Sequence, residues 1–297
     1  MQYSVIIPCN QCGSNFYCYF EEGTPVPSTG VCDKCDKFVL PKPKPIETIN
    51  EGDAIYIMAS GPSINDITEG QWRYLKTQKT LGISHFYKKN WEPTYYFSLE
   101  QLDSHSQMKM IMDHYFKNEW KTKLFFNAVA RKWVGDNVDV TWVNIGDWLN
   151  SWDGGTWTID SENPPSTFEK AWAKKIDDPL FSFRGTLSGA INLATVIGAG
   201  RIVLVGVDMN DESHFYKDVP YSKHLKKIKN EFGFDDKLDG HSTNCVYNRV
   251  RGICDALKII SKHIKITCAS KDSYLVKNGI FKYEEIQCKD EDRRYCL

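Results

Sequence analysis

The chain has 297 residues, which is long enough for one large domain and a small appended unit. A formal net charge of -1 excludes the overall basic field that favours nucleic-acid binding, while 41% hydrophobic and 13% aromatic residues suffice to build a core. The longest apolar runs are too short to span a bilayer, and no signal peptide opens the chain. We therefore expect a cytoplasmic protein with no membrane partner.

The first 40 residues contain cysteines with the spacing of a zinc site. Two CxxC motifs, separated by 19 residues, are formed by Cys9, Cys12, Cys32 and Cys35. Two such motifs complete a tetrahedral shell of four thiolates for Zn²⁺, whereas a redox-active CxxC normally occurs alone beside a βαβ pattern. Three short β-type segments surround them: Tyr3–Ile7, Phe16–Phe20 and Phe38–Leu40. We predict a zinc ribbon over residues 1–40, stabilised by structural Zn²⁺ because so small a unit has little core of its own.

The other six cysteines show no metal-site spacing. They are Cys18, Cys245, Cys254, Cys268, Cys288 and Cys296. In the absence of a signal peptide, a reducing compartment and metal binding are favoured over disulfide bonds.

Residues 41–47, PKPKPIE, alternate proline with lysine and predict a stiff, solvated linker. In the remainder, residues 48–297, strand-like and helix-like segments alternate, which predicts an α/β domain with a doubly wound, mainly parallel, Rossmann-like sheet. The predicted strands are Ala54–Ala59, Thr80–Ser84, Thr94–Leu99, Leu124–Asn127, Val138–Val143, Arg201–Val207 and Ile264–Cys268. The predicted helices cover residues 101–118, 187–198 and 245–262.

Two long segments do not follow this alternation. Residues 144–183 are rich in tryptophan, and residues 209–243 are polar. Long irregular segments within a compact domain are usually either functional or disordered. Because residues 209–243 directly follow a buried strand, we predict that they form a lid over a site.

The segment from Arg184 to Asp211 carries the strongest functional signal. Its apolar run RIVLVGV is typical of a strand buried on both faces of a parallel sheet. The run ends at Asp208, and open α/β sheets bind ligands at the carboxyl ends of their strands. The preceding helix begins with hydroxyls and free amides that suit an anion, at Thr186, Ser188 and Gly189. Together they predict a nucleotide-type site, although small residues there also fit a tightly packed helix.

A second polar turn, Ser60-Gly61-Pro62-Ser63, follows the first strand of the domain. Gly61 lets the backbone approach a ligand closely, Pro62 fixes the turn, and Ser63 offers a hydroxyl to a ligand oxygen. No GKS or GKT follows, so the turn is not a Walker loop. The alternative is an ordinary strand-to-helix connection.

Two downstream segments offer groups for chemistry. The stretch from Asp208 to Tyr221 supplies His214 as an acid or base and Tyr216 as a donor to a leaving phosphate. Farther along, His241 lies in the sequence GHSTN and is suited to proton transfer near neutral pH. The alternatives are a solvated loop, a structural histidine, and a Mg²⁺ site formed by Asp208, Asp211 and Glu212.

These pieces occur in one order: SGPS after the first strand, a helix start rich in Thr, Ser and Gly, a strand ending in GVD, and then GHSTN. In that order they resemble the bacterial sialyltransferases of glycosyltransferase family 42, over about residues 53–270. Proteins of the domain-of-unknown-function 115 family, which include an archaeal pterin pyrophosphokinase, share the GPS turn and the GVD strand. GHSTN favours the glycosyltransferases, which implies a GT-A-like Rossmann fold.

The resemblance implies roles for individual residues. Gly61, Pro62 and Ser63 would lie against a cytidine nucleotide, Ser188 and Gly189 would touch the donor sugar and phosphate, and His241 would be the catalytic base. Tyr216 falls on one of two tyrosines that bond the leaving phosphate. Three positions depart from the family pattern: Leu187 replaces a threonine, Asn210 replaces the other tyrosine, and Ser84 stands where an asparagine contacts the nucleotide.

We therefore expect a metal-independent, inverting glycosyltransferase with a nucleotide-sugar donor, a CMP-linked sugar being the leading candidate, and a hydroxyl acceptor. His241 would act as base, and Tyr216, helped by Asn210 or His214, would stabilise the departing phosphate. The alternatives are a Mg²⁺-dependent pyrophosphokinase or phosphotransferase using Asp208 and Asp211, and a non-catalytic nucleotide-binding adaptor.

The ribbon suggests a further partner, because zinc ribbons often contact nucleic acid or protein. Four lysines in and after it are available to phosphates: Lys34, Lys37, Lys42 and Lys44. The acceptor would then be a glycan or a modified base in nucleic acid. The Lys-, Asn- and Ile-rich composition and the fusion of ribbon and α/β domain suit a viral or phage protein, which would act in the host cytoplasm.

Overall fold

The computed structural model of the chain describes residues 2–8, 15–21, 52–99, 111, 114–115, 118–127, 140–143, 145–146, 172–181, 185–210, 214–216 and 250–288. Near the amino terminus, strands β1 (Gln2–Pro8) and β2 (Asn15–Glu21) pair antiparallel, from Gln2 opposite Glu21 to Pro8 opposite Asn15. The predicted strands Tyr3–Ile7 and Phe16–Phe20 are confirmed. The four predicted zinc ligands lie outside the described residues, so the zinc site stays a prediction.

An eight-stranded sheet forms the centre of the α/β unit, and all of its neighbouring strands run parallel. Its strands are β3 (Ala54–Met58), β4 (Lys79–Ile83), β5 (Tyr95–Ser98), β6 (Lys123–Asn127), β7 (Val140–Val143), β10 (Arg201–Val205), β11 (Lys265–Cys268) and β12 (Lys282–Tyr283). A separate parallel pair joins β8 (Ile145–Gly146) to β9 (Leu180–Phe181). Each strand predicted for the sheet is present, and β12 is additional.

The described helices are α1 (Glu69–Leu75), α2 (Thr186–Val196), α3 (Val250–Ile260) and α4 (Tyr274–Lys277). Two 3-10 helices, Pro62–Asp66 and Ser84–Lys89, follow β3 and β4. Two of the predicted helices match α2 and α3. Of the predicted helix 101–118, residues 111 and 114–115 are helical, and most of the rest lies outside the described residues.

Helices pack on both faces of the sheet, which confirms the doubly wound architecture. Alternate side chains of β3 point to opposite faces, as strand geometry requires. Ile55 and Ile57 pack in the cluster that contains α2 and α3, whereas Tyr56 and Met58 pack in the cluster that contains Leu75 of α1. A third cluster of aromatic and aliphatic side chains covers β5, β6 and β7.

Helix α1 was not among the predicted helices, although the sequence carries a signal for it. Thr68 accepts a hydrogen bond from the backbone N–H of Gln71, and the Gln71 side chain accepts one from the backbone N–H of Thr68. This reciprocal pair is a capping box, whose T-x-x-Q pattern marks a helix start.

The cysteines correct one expectation. Cys288 is disulfide-bonded, although the sequence favoured thiols throughout. Cys254 and Cys268 are buried free thiols, and burial raises the pKa of Cys254 to about 11. Sequence spacing shows neither which cysteines meet in space nor which are enclosed by the core, because both depend on contacts between distant segments. None of the described helices is long and apolar enough to cross a membrane.

Helix α2 is tied to the segment before it by one buried amide. Asn192 is fully buried, and its Oδ1 accepts from the backbone N–H groups of Ala173 at 3.1 Å and Phe181 at 2.8 Å. Its Nδ2 donates to the Ala173 carbonyl at 2.9 Å. These bonds align residues 172–181 with the helix.

Asn192→Ala should lower the free energy of unfolding by about 2–6 kcal/mol, because two buried N–H groups lose their acceptor at about 1–3 kcal/mol each. Urea unfolding measures the change. Asn278→Ala is the control, since its amide is exposed and donates to the Tyr274 carbonyl at the end of a short helix. Equal losses in the two variants would contradict this role for Asn192.

A partly buried ion pair joins the inner strand β10 to the segment that follows the edge strand β12. Arg201, at the start of β10, donates to Glu284, which follows β12 and also accepts from Thr267 at 2.9 Å. Burial alone would raise the pKa of Glu284. The hydrogen bonds from Arg201 and Thr267 outweigh it and hold the pKa below its ordinary value of 4.5.

A carboxylate with a lowered pKa stabilises the fold above its unfolded pKa, and this contribution is lost as the pH falls through its folded pKa. Glu284→Gln should therefore be less stable than wild type at pH 7 and lose less stability on acidification below about pH 4.5. Chemical unfolding across this range tests it. Glu69, whose side chain is 76% exposed, provides the control: Glu69→Gln should show the wild-type dependence of unfolding free energy on pH. If Glu284→Gln shows that same dependence, the assignment is refuted.

Candidate active site

The order of strands in the sheet places the candidate site between β3 and β10. From β3 the chain builds outward through β4, β5, β6 and β7, and later returns to the other side of β3 with β10, β11 and β12. The direction of winding therefore reverses between β3 and β10. Open α/β sheets bind ligands in the crevice at the carboxyl ends of the strands at such a switch point. Here these ends lead into Ser60-Gly61-Pro62-Ser63 and Gly206-Val207-Asp208.

Gly61 allows these two segments to touch. Its backbone N–H donates to the Gly206 carbonyl at 2.7 Å. A Cβ at this position would lie 2.4 Å from Oδ2 of Asp208 and 2.6 Å from the Gly206 carbonyl oxygen. The close approach that the structure shows is thus to the neighbouring strand end, and the contact of Gly61 and Pro62 with a nucleotide stays a prediction.

Asp208 connects the two strand ends through its side chain. The residue is 5% exposed, and its Oδ2 accepts from the backbone N–H of Ser63 at 2.9 Å. Its own carbonyl accepts from the N–H of Tyr274 in α4 at 2.8 Å. Within the part of the chain that the structure describes, Oδ1 has no hydrogen-bond partner. One carboxylate oxygen therefore fixes the turn, and the other is available as an acceptor.

The start of the predicted lid returns to the same turn. The backbone N–H of Phe215 donates to the Ser60 carbonyl at 3.1 Å, and Nδ1 of His214 lies 3.3 Å from the Ser60 hydroxyl. The rings of His214 and Tyr216 are stacked, with centroids 5.1 Å apart and planes 4° apart. The structure thus brings Ser60, His214 and Tyr216 together, and their roles in binding or catalysis stay predictions.

Segment Ser84–Lys89 forms another side of this group. Ser84 directly follows β4, has a left-handed φ of 53°, and accepts from the Tyr96 hydroxyl through its carbonyl. The next residue, His85, lies with its ring centroid 5.4 Å from that of Tyr216 and 6.2 Å from that of His214. Ser84 was a predicted site residue and His85 was not, although the position of His85 just after a strand was a signal that could have identified it.

The amino-terminal end of α2 is packed against β5. Ser188 is 5% exposed, and its hydroxyl donates to the Gly185 carbonyl at 3.2 Å. A Cβ on Gly189 would lie 3.1 Å from the Phe97 ring. Thr186 is partly exposed, and the N-cap residue, Gly185, has no side chain with which to cap the first turn. The anion binding predicted for this turn and the donor contacts predicted for Ser188 and Gly189 stay predictions.

The remaining predicted residues divide into two groups. The first is Asn210, which follows Asp208 by two residues. It is exposed, and its Nδ2 donates to the Asp272 carbonyl at 2.9 Å. His241, Asp211, Glu212 and most of the predicted lid lie outside the described residues. Among those that are described, no group of three or more His, Cys, Asp or Glu side chains could hold a metal ion.

Gly61→Ala should cost about 3 kcal/mol of stability, because the added methyl group meets Asp208 and the backbone of Gly206 in a packed region. Gly279→Ala is a suitable control: its φ is 65° and its Cβ would meet nothing within 4 Å, so only the backbone conformation is penalised, by about 1 kcal/mol. Thermal or urea unfolding compares the two. A smaller loss for Gly61→Ala than for Gly279→Ala would contradict the close contact.

No protein-family model matches the sequence, and no curated protein matches it. Among solved structures, the sialyltransferase CstII from Campylobacter jejuni in complex with cytidine-5'-monophosphate is similar at 15% identity, covering 82% of this chain and 89% of that chain with a TM-score of 0.46. The complex of the same sialyltransferase with CMP-3FNeuAc is similar at 16% identity, covering 79% of this chain and 87% of that chain with a TM-score of 0.44. A MAf glycosyltransferase from Magnetospirillum magneticum AMB-1 is similar at 14% identity, covering 82% of this chain and 34% of that chain with a TM-score of 0.44. At these values the similarity does not assign an activity to this chain.

Proposed function

We propose that the protein is a glycosyltransferase that transfers a sugar from a nucleotide-sugar donor, with a CMP-linked sugar as the leading donor, to an acceptor hydroxyl. One observation carries the proposal: the switch-point crevice between β3 and β10 joins the SGPS turn, Asp208 and the His214–Tyr216 pair at one edge of a parallel sheet. The SGPS turn and the GVD strand end are motifs on which the resemblance to the family 42 sialyltransferases rests, and Tyr216 is a position that the resemblance assigns to the leaving phosphate.

The donor nucleotide is placed against the SGPS turn. Oδ1 of Asp208 is an acceptor for a ribose hydroxyl or a base amino group, and the Ser60 and Ser63 hydroxyls lie at the same strand end. Ser84 is presented from the neighbouring strand β4. The amino-terminal end of α2 favours the negative charge of the phosphate through the helix dipole and the backbone N–H groups of its first turn.

The leaving phosphate is assigned to Tyr216, with His214 beside it. A phenol and an imidazole aimed at a developing negative charge stabilise it without a metal. The stacked arrangement of these two rings holds Tyr216 in place. The electron pair of the broken bond between the anomeric carbon and the phosphate oxygen leaves with the nucleotide.

The base is assigned to His241 on the strength of the GHSTN motif. His241 takes the proton of the acceptor hydroxyl while the acceptor oxygen bonds to the anomeric carbon from the opposite face, which inverts its configuration. The acceptor is a glycan or a modified nucleic-acid base; in the second case the ribbon with its structural Zn²⁺ positions the nucleic acid.

A second candidate, Mg²⁺-dependent phosphoryl or pyrophosphoryl transfer, is favoured by one feature. Oδ1 of buried Asp208 lacks a partner in the described part of the chain, and carboxylate oxygens are Mg²⁺ ligands. A transferase of the proposed kind keeps its activity in EDTA provided that the structural zinc is retained, whereas a kinase loses it.

The decisive assay measures release of CMP from a CMP-sugar, with and without acceptor. Wild type should turn over in EDTA, and Tyr216→Phe should lower kcat about 10- to 100-fold, since a hydrogen bond to a charged group contributes about 1.5–3 kcal/mol. His241→Ala should abolish transfer while CMP binding persists. Tyr283→Phe, changed at a 45% exposed tyrosine on β12, is the matched control and should keep full activity.

Several outcomes contradict the proposal. Full activity of folded His241→Ala would show that His241 is not the base. Full activity of Tyr216→Phe would show that the Tyr216 hydroxyl does not stabilise the leaving phosphate. Mg²⁺-dependent transfer of a phosphoryl or pyrophosphoryl group from a nucleoside triphosphate, without release of CMP from a CMP-sugar, identifies a phosphotransferase instead. Nucleotide binding without any turnover, even with water as acceptor, identifies an adaptor.

A further inference from the structure

Lys88 lies beside the group assigned to the leaving phosphate, and no sequence motif pointed to it. Its Nζ is 4.1 Å from the centroid of the Tyr216 ring. The centroid of the Tyr216 ring also lies 5.4 Å from that of His85 and 5.1 Å from that of His214. One lysine and two imidazoles thus surround the tyrosine whose hydroxyl is assigned to the phosphate.

The backbone holds Lys88 in this position. Phe86 and Tyr87, the two residues before it, are 0% and 4% exposed and pack in different core clusters. Asn90 ends the segment in a left-handed conformation with φ 56°, and its N–H donates to the Tyr87 carbonyl at 3.3 Å. The turn that carries Lys88 is therefore fixed before any ligand binds, which lowers the ordering cost of binding.

We propose that Lys88 is the permanent positive charge of a phosphate subsite whose other members are Tyr216, His214 and His85. An ammonium over an aromatic face is attracted to the ring, and the same charge attracts an anion that accepts from the ring's hydroxyl. Lysine binds phosphate as a point charge, so it needs no metal partner. The choice of CMP as the ligand rests on the proposed function. The presence of an anion site at Lys88 does not depend on it.

The neighbouring residue supplies a matched control. Lys89 belongs to the same 3-10 helix, and its Nζ lies 5.3 Å from the ring centroid of Trp72, a residue of α1. Lys88→Met and Lys89→Met each remove one charge and one cation–π contact and keep the aliphatic stem. Only the first variant removes a charge from the group around Tyr216.

Isothermal titration of the full chain with CMP, and separately with cytidine, tests the subsite. Lys88→Met should weaken CMP binding about tenfold, equivalent to about 1.4 kcal/mol, and leave cytidine binding unchanged because cytidine has no phosphate. Lys89→Met should bind both as wild type does. Equal CMP affinity in Lys88→Met and wild type, or equal losses for CMP and cytidine, would overturn the proposal.

The outcome for the donor is separable from the outcome for the subsite. If wild type binds another nucleotide instead of CMP, the same comparison with that nucleotide and its nucleoside decides the role of Lys88. If wild type binds no nucleotide, the proposed function fails, and inorganic phosphate becomes the probe. Phosphate binding that Lys88→Met weakens and Lys89→Met retains supports the subsite; the absence of phosphate binding to wild type overturns it.

Discussion

The contact between Gly61 and the end of β10 is the constraint on which the candidate site depends. The Gly61 N–H donates to the Gly206 carbonyl, and the absence of a side chain leaves room for Oδ2 of Asp208. Asp208 then accepts from Ser63 and fixes the SGPS turn, while its other oxygen remains an acceptor. The switch point of the sheet is thereby closed by backbone and one carboxylate, and its polar groups are held in place before a ligand arrives.

The groups around this crevice come from separate parts of the chain, yet each is anchored to the sheet. Phe215 bonds to the Ser60 carbonyl, and Ser84 receives a hydrogen bond from Tyr96. Ser84 and Met209, which follow β4 and β10, both adopt left-handed backbone conformations without being glycine. Such conformations carry a cost and occur preferentially at functional sites. Under the proposed function, these conformations hold the polar groups of the site in place before the nucleotide binds.

The strands of the parallel sheet could be predicted from the sequence because strands buried on both faces consist of short runs of apolar residues. The order of the strands could not, since it depends on which side of β3 the chain returns to. Helix α1 was missed because it is only seven residues long and too short for a clear periodicity. The positions of His85, Lys88 and Asn192 depend on contacts with distant segments, so no local pattern distinguishes them from ordinary polar residues.

Amide hydrogen exchange with and without CMP tests most directly whether a nucleotide occupies the crevice between β3 and β10. The account predicts that saturating CMP slows exchange in peptides covering residues 59–66 and 205–210, and leaves the peptide covering residues 282–288 unchanged. Protection confined to other parts of the chain, with residues 59–66 exchanging at the same rate as in the free protein, would contradict it.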